Sequence, residues 1–175
     1  MAAKEILRYQ LLAAREFSER LLASFETREQ WTYVLKKGLS GALWFARHMG
    51  NYDNWSILFL KPEAFVQRDF EHCEDGDKEF PPTDVVVDFM RKRRKVLLSI
   101  LDEMDEADLD LPPVGDAPDH LPTNAHVFQT ASWHEGVHAG QVAYTRWALK
   151  YPTVELEDVF RETLGLDPVT ESADK

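Results

Sequence analysis

The segment His134-Glu135-Gly136-Val137-His138 is the part of the sequence whose residue types and spacing most directly suggest chemistry. In an α-helix, residues at positions i and i+4 lie ~40° apart around the axis, so His134 and His138 share one face. Two imidazoles with this spacing can bind one metal ion. Because a catalytic zinc ion typically has three protein ligands and one open position, a third ligand must come from elsewhere in the chain.

His48 is the best source of a third ligand, because it lies at the centre of an aromatic stripe on another helix. The positions within ~60° of it on a helical wheel are Gly41, Trp44, Phe45, Asn51, Tyr52, Trp55 and Phe59. A single histidine on such a face is usually a core residue that is hydrogen-bonded to its neighbours. Three buried histidines are costly, because burial disfavours the charged form and every ring nitrogen needs a partner. One divalent ion satisfies three of these nitrogens, so the sequence favours a three-histidine metal site.

Two other interpretations of the same residues stay open. The segment also matches HExxH, the zinc-peptidase motif, in which Glu135 would be the catalytic general base. That interpretation leaves His48 unexplained, and no strand is evident along which a peptide substrate could be held. The third interpretation is a non-catalytic metal- or ligand-binding bundle that uses its histidines structurally.

The elements that must position these residues are helices. Apolar residues recur at three- and four-residue steps, and no alternating strand pattern is found. The predicted long helices run from Lys4 to about Ser24, from the N-cap Ser40 to Leu60, from just after Pro81-Pro82-Thr83 to about Met104, and from about Thr123 to about Lys150. Each is ~30 Å long, and an antiparallel four-helix bundle is the economical way to pack them.

Several features surround this bundle. A capping-box pattern at Thr27 predicts a short helix that ends near Gly38. We assign residues 1–152 to the bundle and 153–175 to a C-terminal extension that is partly packed or frayed. The connections 61–82 and 106–122 are longer than is needed to join neighbouring helices of a bundle, and we expect them to cover one end of it.

On the last helix, small or apolar residues share the histidine face, which we expect to point into the core: Val127, Thr130, Ala131, Val137, Gln141, Thr145 and Ala148. Trp133 is expected at an interface or in the core.

Composition restricts the function classes. The chain has 175 residues, of which 44% are hydrophobic, enough for one domain with a real core. Its 20 basic and 31 acidic residues give a net charge of −11, which argues against general nucleic-acid binding and against an anionic membrane surface as partner. No segment is apolar enough to span a bilayer, and charges interrupt the N-terminal segment, unlike a signal peptide. The single cysteine, Cys73, excludes an intramolecular disulfide and is expected to be inert, so we expect a cytoplasmic protein.

The segments HEGVHAGQVAYTRWAL and GLSGALWFARHMGNYDNW resemble the last helix and the first histidine-bearing segment of the DinB/YfiT-like metalloenzyme superfamily. The order of elements is also similar, and the resemblance covers nearly the whole chain. It implies a four-helix bundle with a divalent metal in a cleft, commonly in a homodimer. The family's metal-binding histidines correspond to His48, His134 and His138, and its usual glutamine corresponds to Gln141. Lys150 is a departure, because relatives often end this helix with glycine.

Characterised members of that family include transferases and isomerases that use a low-molecular-weight thiol. Three neutral imidazoles leave a bound ion its full charge, which can lower the pKa of a bound water or favour a thiolate. We therefore expect a metal-dependent transferase or hydrolase acting on a small molecule, with thiol transfer to an electrophile as the leading reaction. Zinc is the expected metal, with nickel, iron or manganese as alternatives.

Supporting roles are expected for four more residues. Gln141 would orient the substrate or support His138, and Asn51 and Tyr52 would give similar support around His48. Arg94 lies near the apolar seam of its helix. It could extend to solvent, pair with a buried carboxylate or contact the substrate.

Overall fold

The computed structural model describes residues 2–36, 39–67 and 81–165, and these residues form helices and connections without a strand. The α-helices are α1 (Ala3–Leu22), α2 (Arg28–Trp31), α3 (Ala42–Leu60), α4 (Thr83–Glu103), α5 (Asn124–Ala148) and α6 (Leu156–Thr163). Helices α1, α3, α4 and α5 make up the bundle, so the prediction of an all-helical four-helix bundle is confirmed. None of the described helices is long and apolar enough to cross a membrane.

The ends of the predicted helices are correct to within about two residues, but two details differ. The N-cap of α3 is Gly41 rather than Ser40. A side chain on Gly41 would meet the backbone of the preceding turn, since its Cβ would lie 3.0 Å from the carbonyl oxygen of Trp31. The capping box at Thr27 is present, but α2 ends at Trp31, where the indole Nε1 donates a hydrogen bond of 2.7 Å to the carbonyl of Phe25. Gly38 and Cys73 lie outside the described residues.

In the bundle, α1 and α5 run in one direction, and α3 and α4 run in the opposite direction. Arg15 contacts Glu135 at mid-helix and Arg146 donates a hydrogen bond to the carbonyl of Leu21 near the ends, so α1 and α5 run in the same direction. The same holds for α3 and α4, because Asp53 pairs with Arg94 at mid-helix and Lys61 pairs with Glu103 at the ends. Two helices therefore run each way, as in the expected antiparallel bundle, but two neighbouring pairs are parallel. The connection 61–82 permits this order, because a chain of that length easily spans the ~30 Å of one helix.

The apolar core has two halves. One is centred on Leu43, Met49, Met90 and Val142. The other includes Leu11, Leu97, Phe128 and their neighbours, and it lies where α1 and α5 begin.

The connection 106–122 covers one end of the bundle. Leu109 and Leu121 are buried in the second half of the core. The amide of Gly115 donates a hydrogen bond of 2.7 Å to the carbonyl of Phe59 at the end of α3. This connection therefore behaves as expected, whereas residues 68–80 of the other long connection lie outside the described residues.

Helix α6 packs against α1. Val159 is fully buried, the rings of Phe160 and Tyr9 are 6.2 Å apart, and Glu162 forms an ion pair with Arg20. The C-terminal extension thus contains at least one packed helix. Residues 166–175 lie outside the described residues.

A layer of four charged side chains separates the two halves of the core, and each bundle helix contributes one of them. Arg15 donates hydrogen bonds to Glu135 (2.7 Å) and Asp53 (3.0 Å). Arg94 donates two hydrogen bonds of 2.9 Å to Asp53 and another to Glu135. Each guanidinium also donates to a backbone carbonyl of another helix, Arg15 to Met90 and Arg94 to Leu11. We call these four residues the charge layer.

The charge layer is neutral as a whole and nearly dry. Asp53 and Glu135 are each 1% exposed. Burial opposes the ionisation of Glu135, but the charges of Arg15 and Arg94 outweigh burial and lower its pKa to about 2. Replacing such a network entirely by apolar residues is often harmless, whereas removing one member leaves a buried charge uncompensated.

We predict that Glu135→Gln lowers the free energy of unfolding by ~3–5 kcal/mol, because both arginines then share one carboxylate. Urea denaturation followed by circular dichroism measures the change. Glu103→Gln is the control, since Glu103 forms a surface ion pair with Lys61 and its loss should leave stability near that of the wild type. Equal stability of Glu135→Gln and wild type would contradict the importance of the layer.

Acid should weaken the same network. The pKa of Glu135 in the folded state lies below the ordinary value of 4.5. The ionised carboxylate therefore makes its full contribution to the free energy of unfolding above pH 4.5, and this contribution is lost as the pH falls toward about 2. We therefore expect the stability difference between wild type and Glu135→Gln to narrow as the pH is lowered from about 6 to about 3. Urea denaturation at several pH values tests this, and a constant difference would refute it.

Candidate metal centre

Three imidazoles from two helices converge on one point. Helix α5 carries His134 and His138 one turn apart, and α3 places His48 opposite them. The Nε2 atom of His134 lies 3.0 Å from Nε2 of His48 and 3.1 Å from Nε2 of His138. One ligand atom from each residue lies within 4.8 Å of the others, so the three histidines could hold a metal ion.

The distances and the hydrogen bonds both fit a metal ion. Three nitrogens bound to zinc at ~2.0–2.1 Å in a tetrahedral arrangement would be ~3.3 Å apart, close to the two separations from Nε2 of His134. The Oε1 atom of Gln141 lies 2.5 Å from Nδ1 of His138. An amide oxygen can only accept, so Nδ1 carries the proton, and Nε2 of the neutral ring directs a lone pair at the point of convergence.

All three histidines favour the neutral form that binds metal. Burial lowers the pKa of His48 to about 4, and His138 and Arg47 act in the same direction. Burial, followed by the neighbouring His138 and His48, lowers the pKa of His134 to about 3. Burial also lowers the pKa of His138, although the hydrogen bond with Gln141 opposes this. These lowered pKa values reduce the competition between protons and a metal ion for the ring nitrogens near neutral pH.

Aromatic rings hold two of the histidines in place. The ring of Tyr52 stacks on His134 with centroids 3.7 Å apart and planes at 16°, and Trp44 stacks on His48 at 4.5 Å and 23°. Nδ1 of His134 is buried without a hydrogen-bond partner among the described residues. The His134 ring is therefore oriented by stacking against Tyr52 and by the contacts of its Nε2 atom with the other two imidazoles.

A cavity of about 470 Å³ opens beside the histidines. Its walls are mainly apolar, with a few neutral polar groups. The lining residues are Leu35, Leu39, Ser40, Trp44, Phe45, Val137, His138, Gly140, Gln141, Tyr144 and Thr145. None of these residues is a carboxylate, and His138 is the member that joins the cavity to the point of convergence.

A model of the DinB superfamily matches residues 10–142 of the chain. The chain belongs to the DinB superfamily. The match includes the three histidines and Gln141, and it confirms the resemblance found in the two histidine-bearing segments. Searches of curated proteins and of solved structures returned no match.

In this DinB-superfamily protein, the inward face of α5 differs from the expected one. Val137 is 44% exposed and Gln141 is also exposed, whereas Glu135, Ala139, Val142 and Arg146 are buried. Val127, Ala131 and Thr145 of the predicted face are buried as expected. The prediction is wrong at Val137 and Gln141, because Glu135 and Arg146 take the buried side there. Glu135 is paired with arginines, and Arg146 donates hydrogen bonds to the carbonyls of Leu21 and Pro152. His134 and His138 consequently lie half-buried at the edge of the core, next to the cavity, rather than in its central seam.

The expected supporting residues have different positions. Gln141 contacts His138 through the hydrogen bond described above. Tyr52 was expected beside His48, but its ring stacks on His134. Asn51 is buried on α3, three residues from His48. Trp133, expected at an interface or in the core, is 68% exposed and is therefore not a core residue.

Glu135 and Arg94 belong to the charge layer. Both oxygens of Glu135 accept hydrogen bonds from arginines, and the residue is 1% exposed. A carboxylate held in this way is not available to a water molecule, which argues against the general-base role that the HExxH interpretation would give Glu135. Of the three roles considered for Arg94, the structure shows pairing with buried carboxylates.

Three functional residues were missed from the sequence. Trp44 lies within the aromatic stripe around His48 but was not recognised as the ring that stacks on it. Arg15 lies four residues after Leu11, on the apolar face of α1, and Asp53 lies among buried residues of α3. A charged residue at an apolar position was the available signal for both.

We predict that this protein binds about one equivalent of a divalent transition metal, and that His48→Ala and His134→Ala each lose it, because two imidazoles make a weak site. Plasma mass spectrometry of tag-free protein measures the metal. His126→Ala is the matched control, since His126 is exposed on α5 and contacts Thr123. Loss in His134→Ala but not in His48→Ala would exclude His48 as a ligand.

Proposed function

We propose that this protein is a metal-dependent enzyme that transfers a low-molecular-weight thiol to an electrophilic carbon. The observation that carries the proposal is the convergence of three neutral imidazoles beside a cavity that contains no carboxylate among its described lining residues. His48, His134 and His138 would hold the ion. A divalent ion there would supply a positive charge that favours the ionised form of a thiol or a water molecule next to it.

The absence of a carboxylate from the described cavity lining favours a thiol over water as the nucleophile. A free thiol has a pKa of ~8.5 and needs only a modest shift to ionise at neutral pH. Water is far less acidic than a thiol, so its pKa must be lowered much further before it ionises at neutral pH. Glu135, the nearest carboxylate in sequence to the histidines, is held by Arg15 and Arg94 and cannot take the proton. A thiol nucleophile therefore needs a smaller pKa shift and no nearby carboxylate base, whereas a water nucleophile needs a larger pKa shift.

The reaction is a substitution with balanced bonds. The sulfur electron pair forms a new bond to carbon, and the bond from that carbon to its leaving group breaks with its electrons on the leaving group. The thiol proton passes to solvent through the open cavity. No oxidant or reductant is required.

The cavity walls indicate the substrate's shape. Trp44, Phe45, Leu39 and Tyr144 offer apolar contacts, while Ser40, Gln141 and Thr145 offer neutral hydrogen-bonding groups. An electrophile with an aromatic or aliphatic body fits such walls. Gln141 would both support His138 and present its amide N–H₂ group toward a bound molecule.

We predict that the zinc-loaded protein consumes thiol when mixed with an electrophile such as 1-chloro-2,4-dinitrobenzene. A panel of small thiols is tested, and thiol loss and product absorbance are recorded together. His48→Ala should fall to the uncatalysed rate because it lacks one metal ligand, whereas His126→Ala should retain wild-type activity.

Two outcomes would contradict the proposal. Equal activity in wild type and His48→Ala would show that the reaction does not use the histidine site. Hydrolysis of ester or amide substrates without thiol consumption would replace thiol transfer with hydrolysis at the same site.

A further inference from the structure

A second cavity, of about 530 Å³, lies between α1, α5 and α6, and we call it the α6 cavity. Each of the three helices turns one face toward it, because lining residues recur four positions apart along each helix. They are Tyr9, Ala13 and Phe17 on α1, Gln129 and Trp133 on α5, and Leu156 and Phe160 on α6. This cavity shares no lining residue with the cavity beside the histidines, so the two are separate.

Short side chains leave the space inside the α6 cavity. Ala13, the most buried of its lining residues, is 2% exposed, and Gly136 lines the cavity from α5. A Cβ atom on Gly136 would meet nothing within 4 Å, so packing among the described residues does not require glycine there. Glycine is also unfavourable in the interior of a helix. The need to keep this space open accounts for glycine at position 136.

Large apolar side chains around the cavity remain exposed to solvent. Trp133 is 68% exposed, Leu156 is 42% exposed and Phe160 is 38% exposed. Single exposed apolar residues are normal, but several around one concave site mark a place where something binds. Together with Tyr9 and Phe17, these side chains offer aromatic faces and edges to a flat molecule.

Three neutral polar side chains also line the cavity: Gln10, Gln129 and Ser132. None of the three side chains forms a hydrogen bond with another residue in the part of the chain that the structure describes. Their amide and hydroxyl groups are therefore available to a ligand. A few such groups among apolar walls are the usual way in which a binding site fixes the orientation of its ligand.

The charge of the cavity lining restricts the ligand. The described lining residues include no charged side chain, although 29% of the chain is charged. An ionised ligand would lose part of its hydration in this cavity without gaining an opposite charge. The α6 cavity therefore favours an uncharged molecule.

We propose that the α6 cavity binds an uncharged small molecule with a mainly aromatic body and one or two hydrogen-bonding groups. Its volume lies within the ~300–1,000 Å³ of small-molecule sites. A helix ~10 Å across occupies ~400 Å³ per turn, so the cavity has room for little more than one turn of a protein segment. Binding here uses neither the metal nor the proposed reaction, so it can be tested separately from them.

Fluorescence titration of the metal-loaded protein with N-phenyl-1-naphthylamine tests the proposal. This uncharged dye has aromatic rings and one N–H group, and it fluoresces strongly only in an apolar environment. We expect saturable binding of one dye per chain to wild type. Gly136→Leu should weaken binding ~10-fold or more, because the leucine side chain fills the space that the dye needs.

Gly140→Leu is the matched control. Gly140 lies one turn further along α5, its Cβ would also meet open space, and it lines the cavity beside the histidines instead. Leucine is a better helix former than glycine, so both variants should fold, which circular dichroism verifies. Gly140→Leu should bind the dye as wild type does. Loss of binding in Gly140→Leu alone would place the dye in the cavity beside the histidines and overturn the proposal, as would equal binding by wild type and Gly136→Leu.

A second dye tests the charge of the ligand. 1-Anilinonaphthalene-8-sulfonate has the same rings and N–H group but adds a negatively charged sulfonate. We expect it to bind ~10-fold or more weakly than the uncharged dye, because the described lining offers no cation. Equal affinity for the two dyes would contradict an uncharged ligand. Dye binding that weakens as the protein concentration rises would show that another copy of the chain fills the cavity, and would also overturn the proposal.

Discussion

The buried pairing of Arg15, Asp53, Arg94 and Glu135 is the interaction on which the rest of the structure depends. Each helix of the bundle contributes one member, and each arginine bonds carboxylates from two other helices. Sliding any helix by one turn would leave a charge unpaired in the core, at a cost larger than most single contacts supply. Apolar packing brings the four helices together, but the charge layer sets the axial register of each helix against its neighbours.

The geometry of the histidine cluster follows from the axial register of α3 and α5 that the charge layer sets. Glu135 is next to His134 in sequence, and Asp53 lies five residues from His48 on α3. Once Arg15 and Arg94 have joined these carboxylates, the three imidazoles face one another without any direct bond between the layer and the ring nitrogens. The layer satisfies both oxygens of Glu135, and the ring nitrogens of the histidines are left for a metal. Adjacent residues of one helix turn thus have separate roles: Glu135 stabilises the fold, and His134 leaves its ring nitrogen free to hold a metal.

Much of this arrangement could be predicted from the sequence, and the features that could not be predicted have identifiable physical causes. The spacing of His134 and His138, together with the aromatic stripe around His48, predicted the cluster, because helical geometry alone brings such residues to one face. The parallel pairing of α1 with α5 and of α3 with α4 could not be predicted, because a long connection permits either direction. The inward face of α5 was misjudged at Val137 and Gln141 because Glu135 and Arg146 are buried. The groups that permit this burial lie far away in sequence: Arg15 and Arg94 for Glu135, and the carbonyl of Leu21 for Arg146. The stacking partner of Tyr52 depends on that same rotation of α5.

The parallel pairing of the first and last bundle helices has a consequence for biosynthesis. Helix α1 is made first, yet its main neighbour α5 is made last, and the two carboxylates and two arginines of the layer are complete only when Glu135 has left the ribosome. Until then a nascent chain exposes Arg15, Arg94 and Asp53 with one carboxylate too few, and His48 has no partner histidines. A metal ion held by all three histidines could therefore bind only after nearly the entire bundle has been synthesised. Contacts that join such distant segments make folding slower than in bundles whose neighbours are consecutive.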